Sequence, residues 1–427
     1  MTLEKQVRAL ALPAITQSLL QTLVFVVDRA MLGHHDAISL AAMQIAGPIE
    51  WSVWSIFLAF EVGTVAVIGR LVGEKNRGGA KRALVASLEY AVAAGVVVAA
   101  LSPIALSVLP SIAKSATAEV VANARSYLIV TLCASPVIFV SSVATASLQA
   151  AGNTRTPLAI AIASNLLHIG ANALLIPRFG MRGCAVSTAG TFALETILSL
   201  VVLARAGEVV SLRDAGDGVA RWRDIVVIGW PSLGERVLYH VGFLGYVAII
   251  GRLGDVVMAG NQALISVESI CFLSGDGFGI AAAALVAQKL GARKPDEAKR
   301  AARIATRDAA LTLTALGLVA LAARHWVLPV FAKDAAIVAV GLSAIPVLAL
   351  AQPFMAIAIV TGQALRGAGK TRVALVISLV GAVCVRLSCT WVFAIVLGLG
   401  LPGVWLGSTC DWVVRSILVT IASRRLD

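Results

Sequence analysis

The chain offers few groups that could do chemistry, and Asp28 is the sharpest of them. It stands in LVFVVDRAMLG, well inside the first apolar run. A charged residue at the centre of a bilayer-spanning helix costs roughly 2.5–3.5 kcal/mol on insertion scales, so a carboxylate kept there reads as functional by default. The chemistry it suits is the loading and release of a proton. The competing reading is a static ion pair with Arg29, but residues i and i+1 do not share a helix face. A second group is Asn165, His168 and Asn172. Their spacings of three and four put all three on one stripe of a helix. Three polar groups on such a stripe inside a membrane should face a cavity or one another. Histidine titrates near neutral pH, so His168 is either a second proton-carrying group or a hydrogen-bonded packing residue. Gln44 joins these as a candidate for substrate or cation binding. Glu50 and Glu268 recur at matching places in the two halves and suggest either a shared structural job or an acidic vestibule. Glu61 and Asp276 lie deep in apolar runs beside Gly and Ala, where helices pack closely. They need partners such as Arg386 or Arg415, or protonation, and their roles stay open.

Long apolar runs must position these residues. The 427-residue chain is 59% hydrophobic and only 14% charged, with a mean hydropathy of +0.90. Average soluble domains are about 25% charged. A soluble enzyme or a nucleic-acid module is excluded on that ground, although the net charge of +12 would otherwise invite nucleic acid. A span needs about 20 apolar residues. Cutting the runs at charge, Gly and Pro clusters gives twelve: 9–33, 42–70, 83–108, 122–149, 157–177, 184–205, 225–250, 257–288, 306–329, 337–364, 373–397 and 401–422. Of the 35 Lys and Arg, 24 fall in the termini and even-numbered loops and 7 in the odd ones. The positive-inside rule then predicts both termini in the cytoplasm. The start of the chain lacks a small-residue cleavage site after a short apolar core, so no cleaved signal peptide is expected. Six cysteines lie in apolar stretches without metal spacing and are expected to be packing residues.

The halves align at an offset of 218 residues, then 217. Pro13 matches Pro231, Gln44 matches Gln262, Glu50 matches Glu268, and Lys81–Arg82 match Lys299–Arg300. At 217, SPVIFVSSVATASLQAAGNTR matches QPFMAIAIVTGQALRGAGKTR. An offset of six spans preserves topology, so the repeats are parallel, with a substrate path expected between them. The expected fold is all-α and polytopic: twelve transmembrane helices in two parallel six-helix repeats. The expected domains are 1–204, a cytoplasmic linker at 205–224, and 225–427. There is no GxxxxGK[ST] loop for ATP, no metal cluster and no catalytic constellation, so no enzyme and no cofactor are expected.

Several segments resemble the multidrug and toxic compound extrusion (MATE) family, nearer its DinF-like than its NorM-like branch. They are VVDRAMLGHHDAISLAA, SLQAAGNTRTP, NLLHIGANALLIPRFGMRGCAVST, GERVLYHVGFLGYVAIIGRLG, FGIAAAALVAQKLGARKPDEAKRA and ALRGAGKTR. The resemblance implies two six-helix lobes around an outward-opening V. It also implies export of small organic, usually cationic compounds driven by H+ or Na+. It places the proton-binding aspartate of the DinF-like branch at Asp28, and a family polar position at Thr188. His168 stands where an Asn is common and Asn172 where an Asp is common, so this lobe has one acid where relatives often have two. That favours H+ over Na+ as coupling ion. In the second half the tenth-span acid of the sodium branch is missing. Glu235 lies nearer the cytoplasmic end than the seventh-span acid and is read as a partner of Arg236 or a gate residue. The expected protein is a monomeric inner-membrane exporter in contact with lipid and not with nucleic acid. A Na+-coupled antiporter is one alternative. A lipid-linked saccharide flippase, suggested by the in-span Arg29, Arg236, Arg386 and Arg415, is the other.

Overall fold

The computed structural model describes residues 2–112, 116–205, 210–212, 222–331 and 334–424. Among them there is no strand. The helices are α1 (Leu3–His35), α2 (Ala37–Gly73), α3 (Arg77–Ser107), the single turn α4 (Leu109–Ile112), α5 (Ala118–Cys133), α6 (Ser135–Ala150) and α7 (Arg155–Leu203). They continue with α8 (Trp222–Gly251), α9 (Asp255–Gly291), α10 (Pro295–Ala322), α11 (Arg324–Phe331), α12 (Ala335–Gly367), α13 (Thr371–Ser378), α14 (Arg386–Thr390) and α15 (Gly400–Ser423). Ten segments are long and apolar enough to cross a membrane, with Thr371–Val396 counted as one, and α5 and α6 form a further pair bent by 53°. Within α7, Gly180 has φ 55° and ψ −136° and breaks the helix in two. Counting α7 as two spans and α5–α6 as one gives the twelve expected from the apolar runs. The chain is a multi-pass membrane protein.

Local sequence sets the helix ends. Asp36 caps α2 by accepting from the Ser39 N–H at 2.6 Å, and Asn76 caps α3 by accepting from Gly79 N–H at 2.8 Å. Both satisfy amide groups that a helix start leaves without a partner. The internal repeat is visible in the backbone. α2 and α9 are both 37 residues long and start 218 residues apart. Lys75 and Arg293, also 218 apart, share a left-handed turn at φ 57° and 58°. Gly152 and Gly369, 217 apart, have φ 89° and 77°. Gly180 and Gly398, 218 apart again, have φ 55° and 66°. The residue regained between the last two pairs falls where Leu379–Val385 and Trp391–Val396 wind as π-helix on either side of α14. A π turn is how a helix absorbs an inserted residue.

By contacts the chain divides into Leu19–Gly229 and a second unit of Met1–Ser18 with Trp230–Asp427. The second unit therefore takes the start of α1, which the sequence division at 204 assigned to the first. The reason is packing: Val7 and Ala11 are buried in one cluster with Ala281, Ala301 and Leu365. The linker expected at 205–224 falls largely outside the described residues. The core of Leu19–Gly229 is built from clusters around Met43, Tyr127 and Cys184, around Leu84 and Leu148, and around Phe57 and Phe139. In the second unit α9 packs on α12 through small residues. A Cβ at Gly367 would collide with the carbonyl of Ala283, the close approach that small residues allow. The cysteines are less uniform than expected. Cys184 and Cys271 are buried, whereas Cys133 and Cys384 are exposed. A thiol is weakly polar and behaves as a small hydrophobe, so an outer apolar face suits it as well as a core.

Candidate functional site

Asp28 sits on the part of α1 that belongs to the unit Leu19–Gly229, and it is 2% exposed. Its Oδ1 lies 2.7 Å from His168 Nε2 and accepts from Asn172 Nδ2 at 2.6 Å. The two partners lie one turn apart on the first part of α7, where the spacing of three and four placed them. The break at Gly180 lets the second part of α7 return alongside. From there Thr191 Oγ1 lies 2.9 Å from His168 Nδ1, and Ser187 Oγ lies 3.2 Å from the same nitrogen. Each of these hydroxyls donates its proton elsewhere, Thr191 to Ser187 O at 2.8 Å and Ser187 to His168 O at 3.2 Å. The imidazole is thus held at both nitrogens, and its ring is fully buried.

A pocket opens on this group. Its walls include Gln21, Phe25 and Asp28 from α1, Glu50, Trp51 and Trp54 from α2, Tyr127 from α5, Phe139 from α6, and Asn165, His168, Thr188, Thr191 and Glu195 from α7. Trp51 meets Phe25 and Trp54 edge to face, with centroids 6.1 and 5.1 Å apart. Glu50 accepts from the Tyr127 hydroxyl at 2.9 Å and Glu195 from Ser141 at 3.1 Å. Aromatic faces attract cations through their quadrupole, and three carboxyl groups, Asp28, Glu50 and Glu195, face the same pocket. Among the described residues no group of three His, Cys, Asp or Glu is placed to hold a metal ion.

Comparison with known proteins decides the family. The family model MatE matches residues 13–174 and again 231–392. The chain belongs to the MatE family. The two matched blocks are the two repeats, at an offset of 218 residues. Over 426 residues the chain is 28% identical to the "Probable multidrug resistance protein NorM" of Thermotoga maritima, covering 97% of this chain and 91% of that one. It is 24% identical to the "Multidrug resistance protein MdtK" of Edwardsiella ictaluri, covering 98% and 94%. Among solved structures, the outward-facing conformation of a multidrug resistance MATE family transporter of the MOP superfamily superposes with a TM-score of 0.92. The identity is 20%, over 99% of this chain and 96% of that one. That likeness shows the twelve-helix, two-repeat fold. As a MATE protein the chain is a membrane transporter and not an enzyme.

The remaining candidates of this MATE chain separate cleanly. Thr188 lines the pocket and donates to Cys184 O at 3.0 Å. Gln44 is exposed on α2, outside the pocket lining, because the pocket takes the helix face carrying Glu50 and Trp54. Glu61 is half-buried and also outside the lining. In the second unit Glu235 is paired with Arg366, and also takes the Ser378 hydroxyl. This corrects the expected partner: Arg236 is adjacent in sequence and so points from another helix face. Asp276 accepts from Gln363 at 3.1 Å. Arg386 and Arg415 both converge on the fully buried Asp411, at 2.9 and 2.6 Å. Glu268 has a buried Oε1 with no partner among the described residues, unlike its repeat mate Glu50. Sequence reasoning left Glu195 open as a buried acid facing the lobe core and passed over Ser187 and Thr191, although the spacing of four that joins the three in the sixth run is the same stripe signal that marked His168 and Asn172.

Proposed function

We propose that the protein is a secondary active exporter of small organic cations, driven by inward H+ in antiport, with Asp28 as the proton carrier. The observation that carries this reading is one carboxylate, buried on α1, that both lines an aromatic pocket and is hydrogen-bonded to His168 and Asn172. A proton on Asp28 and a cation in the pocket compete for the same negative charge, and that competition is sufficient for exchange. The names of the relatives, multidrug resistance proteins, support efflux of drug-like molecules. In this reading Asn165 and Thr188 contact substrate, the two lobes alternate in access, and the monomer sits in the cell membrane with both termini in the cytoplasm. The departures at His168 and Asn172 leave this lobe with one acid and favour H+ over Na+. Two of the four in-span arginines behind the flippase alternative, Arg386 and Arg415, share the single carboxylate of Asp411, which weighs against their serving as a phosphate site.

The test is transport in reconstituted vesicles carrying a cationic dye, given a pH gradient or a Na+ gradient separately. Wild-type protein exports under the pH gradient alone. Asp28→Asn folds, inserts and exports nothing above background. Undiminished pH-driven export by that variant, or export under the Na+ gradient alone, would overturn the reading.

A further inference from the structure

We infer that the coupling proton is held jointly by Asp28 and His168, and that its departure forces the two side chains apart. This rests on the reading of Asp28 as the proton carrier and adds a second proton-holding residue to it. The inference follows from counting donors. A serine or threonine hydroxyl has one proton. The hydroxyls of Thr191 and Ser187 spend theirs on the backbone carbonyls of Ser187 and His168, so both offer lone pairs to His168 Nδ1. Nδ1 therefore carries a hydrogen. The other nitrogen, Nε2, lies 2.7 Å from Asp28 Oδ1. That distance is a hydrogen bond only if one proton lies between them, as a carboxylic acid donating to a neutral ring or as an imidazolium donating to a carboxylate. Remove it and a ring lone pair faces a carboxylate oxygen, with the Asn172 amide, 2.6 Å from Oδ1 and 3.1 Å from Nε2, as the donor left between them, so the direct contact is lost in a site where both groups are buried.

The titratable groups around the pair are acidic. Glu50 on α2, together with Tyr127 on α5 and Cys184 on the second part of α7, lies within electrostatic reach of Asp28. Glu195, also on the second part of α7, lies within reach of His168. The second repeat supplies a contrast. By the offset of 218, Asp28 corresponds to Tyr246 and His168 to Arg386. Arginine is always charged in proteins and has no acceptor, so that half cannot exchange a proton by the same means.

The experiment is a histidine ¹⁵N NMR titration of the whole protein in nanodiscs, with His168 assigned by replacing His34, His35, His240 and His325 in turn. It is paired with the pH profile of dye export. In wild type, His168 passes from a neutral Nδ1–H ring at high pH to one sharing or bearing a second proton at low pH. The midpoint of that change coincides with the midpoint of transport. In Asp28→Asn the His168 midpoint falls by about one to two pH units, as loss of a charge-assisted bond requires. In His168→Asn, which keeps Asp28, the transport midpoint falls by about one unit or more. The amide donates to the deprotonated carboxylate where the ring repelled it. If His168 keeps one proton throughout and His168→Asn leaves the transport midpoint in place, the shared site is wrong, while loss of transport in Asp28→Asn still upholds the carrier. If Asp28→Asn transports normally, the carrier reading itself fails. The wild-type titration decides the matter even if His168→Asn does not fold.

Discussion

Several buried charges in this protein are each met by a partner, and Glu235 shows the rule most simply. Its side chain is 14% exposed and that of Arg366 is 20% exposed. Removing one member of a buried pair leaves the other uncompensated and costs about 3–5 kcal/mol. Glu235→Gln should therefore lower the thermal unfolding temperature of the detergent-solubilised protein sharply, and Glu235→Gln with Arg366→Gln should restore most of the loss. If the double variant is as unstable as the single one, the pair is not what Glu235 is kept for. Asp28 obeys the same rule with a different partner, a ring that can itself gain or lose a proton. The sequence marks Asp28 by depth, and Asn165, His168 and Asn172 by helical spacing, because those signals are local. It could not mark the Glu235–Arg366 pair, whose members are 131 residues apart, nor the arrival of Arg386 on Asp411, 25 residues away. Those partners meet through tertiary packing, which no periodicity encodes.

Among the elements, α7 does the positioning. It supplies His168 and Asn172 before Gly180 and Ser187, Thr191 and Glu195 after it, so the helix turns back on itself to hold Nδ1 of the ring whose Nε2 faces Asp28 on α1. A non-glycine residue forced into such a sparsely populated backbone region costs of order 1–3 kcal/mol. Gly180→Ala is expected to destabilise by about that amount and to broaden or shift the pH profile of export. Gly190→Ala is the control. That glycine lies in the helical part of α7 and an added Cβ meets nothing within 4 Å, so Ala should stabilise by up to about 1 kcal/mol. Thermal unfolding of the two variants in opposite directions checks the assignment; equal losses would refute it. The apolar runs gave the number and approximate limits of the spans, since hydropathy follows directly from composition. The change of repeat offset from 218 to 217 was legible as arithmetic, but its return to 218 at Gly180 and Gly398 was not. The regained residue could have lengthened a loop, and it is instead wound into the π turns around Arg386.

For the whole molecule, the charge balance carries orientation. The net charge of +12 comes from cations that gather beside alternate helix ends, and the positive-inside rule predicts that those ends are cytoplasmic. Glu74 and Ala292 are repeat mates at such ends, 218 residues apart, each following a 37-residue helix and both exposed. Parallel repeats require them to lie on the same side of the membrane; inverted repeats would put them on opposite sides. Val108 and Asp255, also exposed, flank the other helix ends. In a background with the six native cysteines replaced, which the exposure of Cys133 and Cys384 makes necessary, a membrane-impermeant maleimide added to intact cells should label Val108→Cys and Asp255→Cys. It should leave Glu74→Cys and Ala292→Cys unlabelled until the cells are opened. Labelling of Glu74→Cys and Ala292→Cys alone would reverse the orientation, and with it the direction in which a proton gradient could drive Asp28. Labelling of one of that pair without the other would break the parallel repeat, on which the equivalence of Asp28 with Tyr246 and of His168 with Arg386 depends.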